Sequence, residues 1–189
     1  MTDESLKWDT TETEKLLHTP VFDVLRQREV SHKGPKGDYI ALKAPDCVVV
    51  IPVLGGDFIT VKQWRHGADR LSVEFPGGVI DAGETPLDAA ARELREETGY
   101  TAGKLTELGC VSPNPALFKS VFYCFLAEEL EKTGEPEPDQ DEVIECSLRP
   151  IEEVVASFGS EEYCHAFMGT ALAFYMRHRG IVPAANKKG

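Results

Sequence analysis

No stretch of the 189-residue chain approaches the roughly 20 consecutive apolar residues that cross a bilayer. The first residues, MTDESLKWDTTETEK, are polar and acidic, unlike a secretory signal. Cations are scarce: 20 Lys and Arg stand against 32 Asp and Glu, a net charge of −12. Binding to nucleic acid relies on clustered Lys and Arg, so this balance argues against it. The five cysteines include no CxxC pair, which leaves zinc without a ligand spacing. Cys110 and Cys124 lie in apolar runs and are expected to be small buried hydrophobes. His66 and His165 each stand alone, with no Ser or Cys partner at a triad spacing. Internal repeats and a second domain are also lacking. Together these absences predict a single globular domain in a reduced, cytosolic compartment, without membrane or nucleic-acid partners.

What is present is ample material for a core, 42% hydrophobic residues with 28% charged ones. Residues 1–19 read as a flexible polar segment, 20–180 as one domain and 181–189 as a frayed tail. Strand-like patterns run from Pro20 to Lys43 around a KGPKGD turn. Cys47–Leu54 (CVVVIPVL) is nearly continuous in apolar residues, as in a strand buried on both faces. Gly55-Gly56-Asp57 predicts a hairpin turn back into FITVKQW, with Trp64 favoured as a core residue. Further strands are expected over 104–111, 120–127 and 143–148. Helices are expected from Pro150 to Phe158 and from Glu161 to His178, the latter with Phe167, Ala171, Phe174 and Tyr175 on its apolar side. Mixed strands and helices of this kind give an α/β or α+β sandwich.

One stretch stands apart: Gly78 to Tyr100, GVIDAGETPLDAAARELREETGY. Thr85 can cap a helix, Pro86 suits its first position, and Gly99 can end it in the left-handed conformation. Leu87, Ala90, Ala91 and Leu94 recur at i, i+3, i+4 and i+7, which predicts the buried face. Glu93, Glu96 and Glu97 then share the opposite surface. Like charges at such spacings destabilise a helix by a few tenths of a kcal/mol per pair, so folding gives no reason for them. Magnesium does, because it is a hard cation that takes carboxylate oxygens and keeps water and phosphate in its remaining positions.

The stretch matches G-x5-E-x7-R-E-U-x-E-E-x-G-U (U, bulky apolar or aromatic) at Gly78, Glu84, Arg92, Glu93, Leu94, Glu96, Glu97, Gly99 and Tyr100. On these residues the chain resembles the Nudix hydrolases, and the resemblance extends over roughly residues 20–150. It implies an α/β/α sandwich with a mixed sheet, in which the matched stretch forms a loop–helix–loop. It implies a Mg2+ site, with Mn2+ as a substitute, held by Glu93, Glu96 and Glu97 with the carbonyl of Gly77, and Glu84 assisting. Arg92 is then the orienting ion-pair partner of these glutamates in the catalytic machinery.

The segment VKQWRHGADRLSVEFPGG resembles the corresponding region of the ADP-ribose and nucleotide-sugar diphosphatases of that family. The implied substrate contacts are Arg65 and Arg70, with Pro115 and Phe118 further along the chain. In DQDEVIE, Glu142 is the first choice for general base; Glu96, or metal-activated water without a base, stays open. The activity implied is hydrolysis of a nucleoside diphosphate linked to another moiety, ADP-ribose or a related NDP-sugar, by a homodimer. Alternatives are a house-cleaning (d)NTP or dinucleoside polyphosphate hydrolase and a non-catalytic nucleotide-sugar sensor. An intact set of carboxylates speaks against the sensor.

Overall fold

A computed structural model describes residues 3–138 and 142–181. The chain divides into two compact units, Met1–Asp46 with Ser112–Val121 and Cys47–Val111 with Phe122–Gly189.

The first unit is built on an antiparallel sheet of three strands in the order β1 (Trp8–His18), β2 (Asp23–Ser31), β3 (Lys36–Lys43). Strand β1 replaces the flexible segment expected there. Every one of its residues is exposed, so it carries no apolar alternation by which to recognise it. Backbone pairing with β2 holds it instead, from Trp8 opposite Ser31 to His18 opposite Asp23. Cross-strand ion pairs, Glu14 with Arg26 and Glu12 with Arg28, run along the same ladder. The 112–121 segment is tied to β3 by the Leu42 amide donating to Leu117 and the Lys119 amide donating to Leu42, at 2.8 and 2.9 Å.

The second unit is a mixed sheet with helices on both faces. Strands β4 (Cys47–Leu54), β5 (Asp57–Arg65), β6 (Arg70–Glu74), β7 (Tyr100–Val111) and β8 (Phe122–Lys132) lie in the order β6-β5-β4-β8-β7, and β9 (Ile144–Pro150) pairs with β5. Among the described strands, β4 and β8 run parallel; the other pairings are antiparallel. Strand β4 explains the layering. Successive side chains of a strand point to opposite faces, so Val49 and Ile51 enter one core and Val48 and Val50 the other. The first core packs α2 (Ile151–Ser157) and α3 (Ala166–His178) around Phe58, Phe75 and Tyr175. The second packs α1 (Pro86–Thr98) through Ala89, Ala90 and Leu94. The result is the α/β/α sandwich, its two cores divided by one run of alternating valines and isoleucine.

Several local expectations are corrected. Trp64 is 47% exposed, not core. Cys124 is buried as expected, but Cys110 is exposed, just past a register shift between Glu107 and Gly109 on edge strand β7. Helix α3 begins at Ala166 and not at Glu161, because the Glu162 carbonyl accepts the Val73 amide of β6 at 2.9 Å and the preceding residues close on themselves in a turn, the Tyr163 amide donating to Ser160 and the Gly159 amide to Tyr163. The expected tail lies outside the described residues apart from Ile181.

Candidate active site

Helix α1 presents the site, and its ends are specified locally. Thr85 accepts the Asp88 amide at 3.2 Å as N-cap, Pro86 occupies the first turn, and Gly99 closes the helix at φ 74°. Its buried residues are Ala89, Ala90, Leu94, Glu97 and Thr98, while Leu87 and Ala91 are exposed. The buried face is therefore rotated from the expected one, and it includes a carboxylate. Glu97 is 2% exposed and accepts the Gly77 amide at 3.0 Å.

The 76–79 segment fixes that contact from the other side by running along β4: the Val48 amide donates to Gly78 and the Val50 amide to Pro76. A Cβ on Gly77 would lie 2.8 Å from the Val49 Cα, and one on Gly78 would lie 2.8 Å from the Glu93 Cδ. Both positions exclude side chains, one to let backbone meet backbone and the other to leave room for a carboxylate.

Between this segment, α1 and β5 opens a cavity of about 420 Å³, lined by Gln63, Arg65, Gly77, Asp81, Glu93, Glu96, Glu97 and Glu142 among others. The two arginines on its wall differ sharply. Arg92 donates five hydrogen bonds: two to Glu84 at 2.9 and 3.0 Å, and one each to Glu93, Glu96 and the Val79 carbonyl at 2.8, 3.2 and 3.0 Å. A guanidinium has five N–H groups, so Arg92 is saturated and serves to orient the glutamates. Its bonds hold the Glu84 carboxyl below the usual range. Arg65 donates to one partner only among the described residues, Glu74, at 2.9 and 2.5 Å. Among the described residues, three of its N–H groups have no partner and can meet a ligand.

Five carboxylates (Asp81, Glu93, Glu96, Glu97, Glu142) face two guanidiniums in this cavity. The imbalance shows in the pKa values. Burial pushes the Glu97 carboxyl up to about 8, reinforced by Glu93 and Glu142 against the opposing Gly77 amide. Burial also raises Glu93, against the pull of Arg92. Carboxylates held in such surroundings favour a bound cation or a proton, and an oxygen-only donor set suits Mg2+. Among the described residues, no three acidic or sulfur- or nitrogen-bearing side chains already converge tightly enough to grip an ion. Glu93 and Glu96 are turned instead toward Arg92.

The other candidates fall out differently. Glu142 lines the cavity, and the Glu137 amide donates to the Glu96 carbonyl at 2.7 Å. Arg70 is not on the cavity wall and lies 4.0 Å from Glu161. Pro115 and Phe118 belong to the first unit, where they line a cavity of about 460 Å³ with Tyr39, Ile40 and Lys119. Gln63 and Asp81 also line the acidic cavity and do not stand out in the sequence. Gln63 was findable, since it lies two residues from Arg65 and must share its face of β5.

The model of the NUDIX domain matches residues 43–166. The chain belongs to the Nudix hydrolase family. ADP-ribose pyrophosphatase of Bacillus subtilis (strain 168) is 34% identical to it over 173 residues, 90% of this chain and 94% of that protein. ADP-ribose pyrophosphatase of Mycobacterium tuberculosis (strain ATCC 25618 / H37Rv) is 31% identical over 131 residues, 67% and 62% of the two chains. A crystal structure of an ADP compounds hydrolase shares the fold with a TM-score of 0.82 at 24% identity, over 94% of this chain and 99% of that one. The Nudix fold and an enzyme of the Nudix class are thereby established. Among the described residues, no helix is long and apolar enough to cross a membrane.

Proposed function

We propose that this Nudix hydrolase splits the diphosphate of ADP-ribose or a related nucleotide sugar in a Mg2+-dependent reaction. The carrying observation is the acidic cavity in which Glu93, Glu96, Glu97 and Glu142 meet Arg65, an arginine with donors to spare. Relatives named for ADP-ribose pyrophosphatase support the choice of substrate.

Glu93, Glu96 and Glu97, with Gly77, would hold Mg2+, or Mn2+ in its place. The ion would supply charge neutralisation to the diphosphate and acidify the attacking water. Arg65 binds the diphosphate oxygens, its planar fork matching phosphate geometry. Glu142 takes a proton from water as the oxygen bonds to phosphorus and the P–O–P bridge breaks, the bridging oxygen leaving with the other phosphate. Products are a nucleoside monophosphate and a sugar phosphate. Glu96 is the second choice, because its carboxylate already accepts hydrogen bonds from Arg92 and Arg95, each at 3.2 Å. Arg92 and Glu84 keep the helix glutamates in place throughout.

The first unit supplies the basis for a homodimer. Its three-stranded sheet ends in β1, an edge strand exposed along all 11 residues, and such an edge offers unpaired backbone groups to a second chain. Arg70 is off the wall of the acidic cavity, and Pro115 and Phe118 line a different cavity in the first unit, so none of the three is given a role in the reaction. The absence of any disulfide among the described residues fits a reducing cytoplasm.

The test is a panel of ADP-ribose, NDP-sugars, dinucleoside polyphosphates, NADH and dNTPs with Mg2+, with products identified. Preferred cleavage of ADP-ribose or an NDP-sugar supports the reading. Preference for dNTPs or dinucleoside polyphosphates would transfer it to the house-cleaning class, and binding without turnover would leave a sensor.

A further inference from the structure

Behind the cavity wall lies a buried polar cluster that the reaction as described does not use. Arg65 ends β5 and lines the cavity, with its side chain 40% exposed. Both of its hydrogen bonds run to Glu74, the last residue of β6, whose side chain is only 3% exposed. Glu74 sits opposite Val61 in the β5–β6 ladder. Val61, Gln63 and Arg65 share one face of β5, so the guanidinium folds back along its own strand to reach the carboxylate. The Nδ1 of His165 lies 3.5 Å from Oε2 of Glu74, the oxygen that also accepts the Arg65 Nη2. His165 is the N-cap residue of α3, but its side chain makes no cap hydrogen bond. Its ring is instead wedged edge-on against Phe167, with centroids 5.0 Å apart.

A buried ion pair contributes little net stability, because desolvation of both ions offsets their attraction. Burial pushes the Glu74 carboxyl up, yet Arg65 and His165 outweigh it and hold the group below its ordinary value. The position of Arg65 suggests what this arrangement is for. Glu97 and Glu142 exert their fields on its guanidinium from across the cavity. Without a stronger anchor, that cation would swing onto the carboxylates that a metal ion needs, neutralising them with its own charge. Glu74 outcompetes them by a two-point contact, the geometry in which guanidinium and carboxylate match best.

We propose that Glu74, backed by His165, is a positioning residue that holds Arg65 off the acidic cluster and aims its three remaining N–H groups at the substrate's diphosphate. The proposal rests on the diphosphatase reading above and adds to it a link from the start of α3 to the substrate-binding wall. It also sets apart two arginines that look alike in sequence, since Arg92 is spent on orientation and Arg65 is kept available.

The experiment is steady-state kinetics on ADP-ribose at several Mg2+ concentrations for wild type, Glu74→Gln, His165→Gln, Arg65→Lys and Glu74→Gln/Arg65→Lys. A misdirected Arg65 loses a charge-assisted contact, so KM rises about tenfold in Glu74→Gln, with a smaller change in kcat. The Mg2+ concentration for half-maximal rate rises as well, because the freed guanidinium competes for the carboxylates. Arg65→Lys raises KM to a similar degree, and the double variant is no worse than the poorer single one, since both act through the same contact. His165→Gln, at a half-buried position, is expected to fold and to raise KM about threefold; it carries the test if Glu74→Gln does not fold. Unchanged KM and Mg2+ dependence in the folded variants, or additive effects in the double variant, would overturn the proposal. A wild type that turns over no diphosphate would instead overturn the reading on which it rests.

Discussion

Glu97→Gln should make the metal-free protein more stable while removing most of its activity. Glu97 is 2% exposed, and its carboxyl is raised from 4.5 to about 8. A carboxyl raised on folding contributes stability that is complete below its unfolded pKa and is lost as pH rises toward the folded value. Each pH unit between the two is worth about 1.4 kcal/mol, so at pH 7 wild type has lost roughly 3 kcal/mol relative to acid. Glutamine keeps the acceptor for the Gly77 amide and carries no charge, so the variant escapes that loss. For a chain of this size, 1 kcal/mol moves Tm by about 2–4 °C, so the gain in EDTA is up to roughly 10 °C at pH 7 and shrinks toward pH 4.5. Scanning calorimetry in EDTA between pH 5 and 8 reads it directly. With Mg2+ the order should reverse, wild type gaining Tm and the variant little, and kcat should fall at least a hundredfold, a loss on the scale of one preorganised charge contact. A variant less stable than wild type in EDTA, or one with the same dependence on pH, would refute the reasoning.

Other outcomes follow from the same geometry. Arg92→Lys cannot reproduce five hydrogen bonds with three donors, so it should destabilise by about 2–3 kcal/mol in urea titration and lower kcat. Gly78→Ala places a Cβ 2.8 Å from the Glu93 Cδ; circular dichroism should show the fold intact, while the Mg2+ concentration needed for activity rises. Lys62 donates to Glu162 at 2.7 Å and holds its carboxyl below 4.5. That pair contributes stability present above pH 4.5 and lost as pH falls through the lower folded value, so Glu162→Gln should flatten the acid limb of a Tm-against-pH curve.

How far the fold could be read in advance depended on what kind of force specified each part. Helix α1 was legible at both ends, because Thr85, Pro86 and Gly99 act locally. The valine run of β4 was legible because burial on both faces leaves no polar position. The buried face of α1 was set wrongly because an apolar alphabet cannot register Glu97, whose burial answers to the Gly77 amide across the fold. Strand β1 was missed for the complementary reason: pairing with β2 holds it, and none of its side chains is buried. The start of α3 yielded to one long-range hydrogen bond between Glu162 and Val73. At the site, the glutamates were legible from spacing, but the contrast between Arg92 and Arg65 was not. It depends on which donors are already taken, and Glu74 and His165 enter only through the folded sheet.

The most direct measurement of the central claim is phosphorus NMR of ADP-ribose incubated with the purified protein, first in EDTA and then with Mg2+ added. The account predicts no change in EDTA. After Mg2+, the diphosphate resonances should be replaced by those of AMP and ribose 5-phosphate in equal amounts. Diphosphate signals that persist with Mg2+, or cleavage at full rate in EDTA, would contradict it.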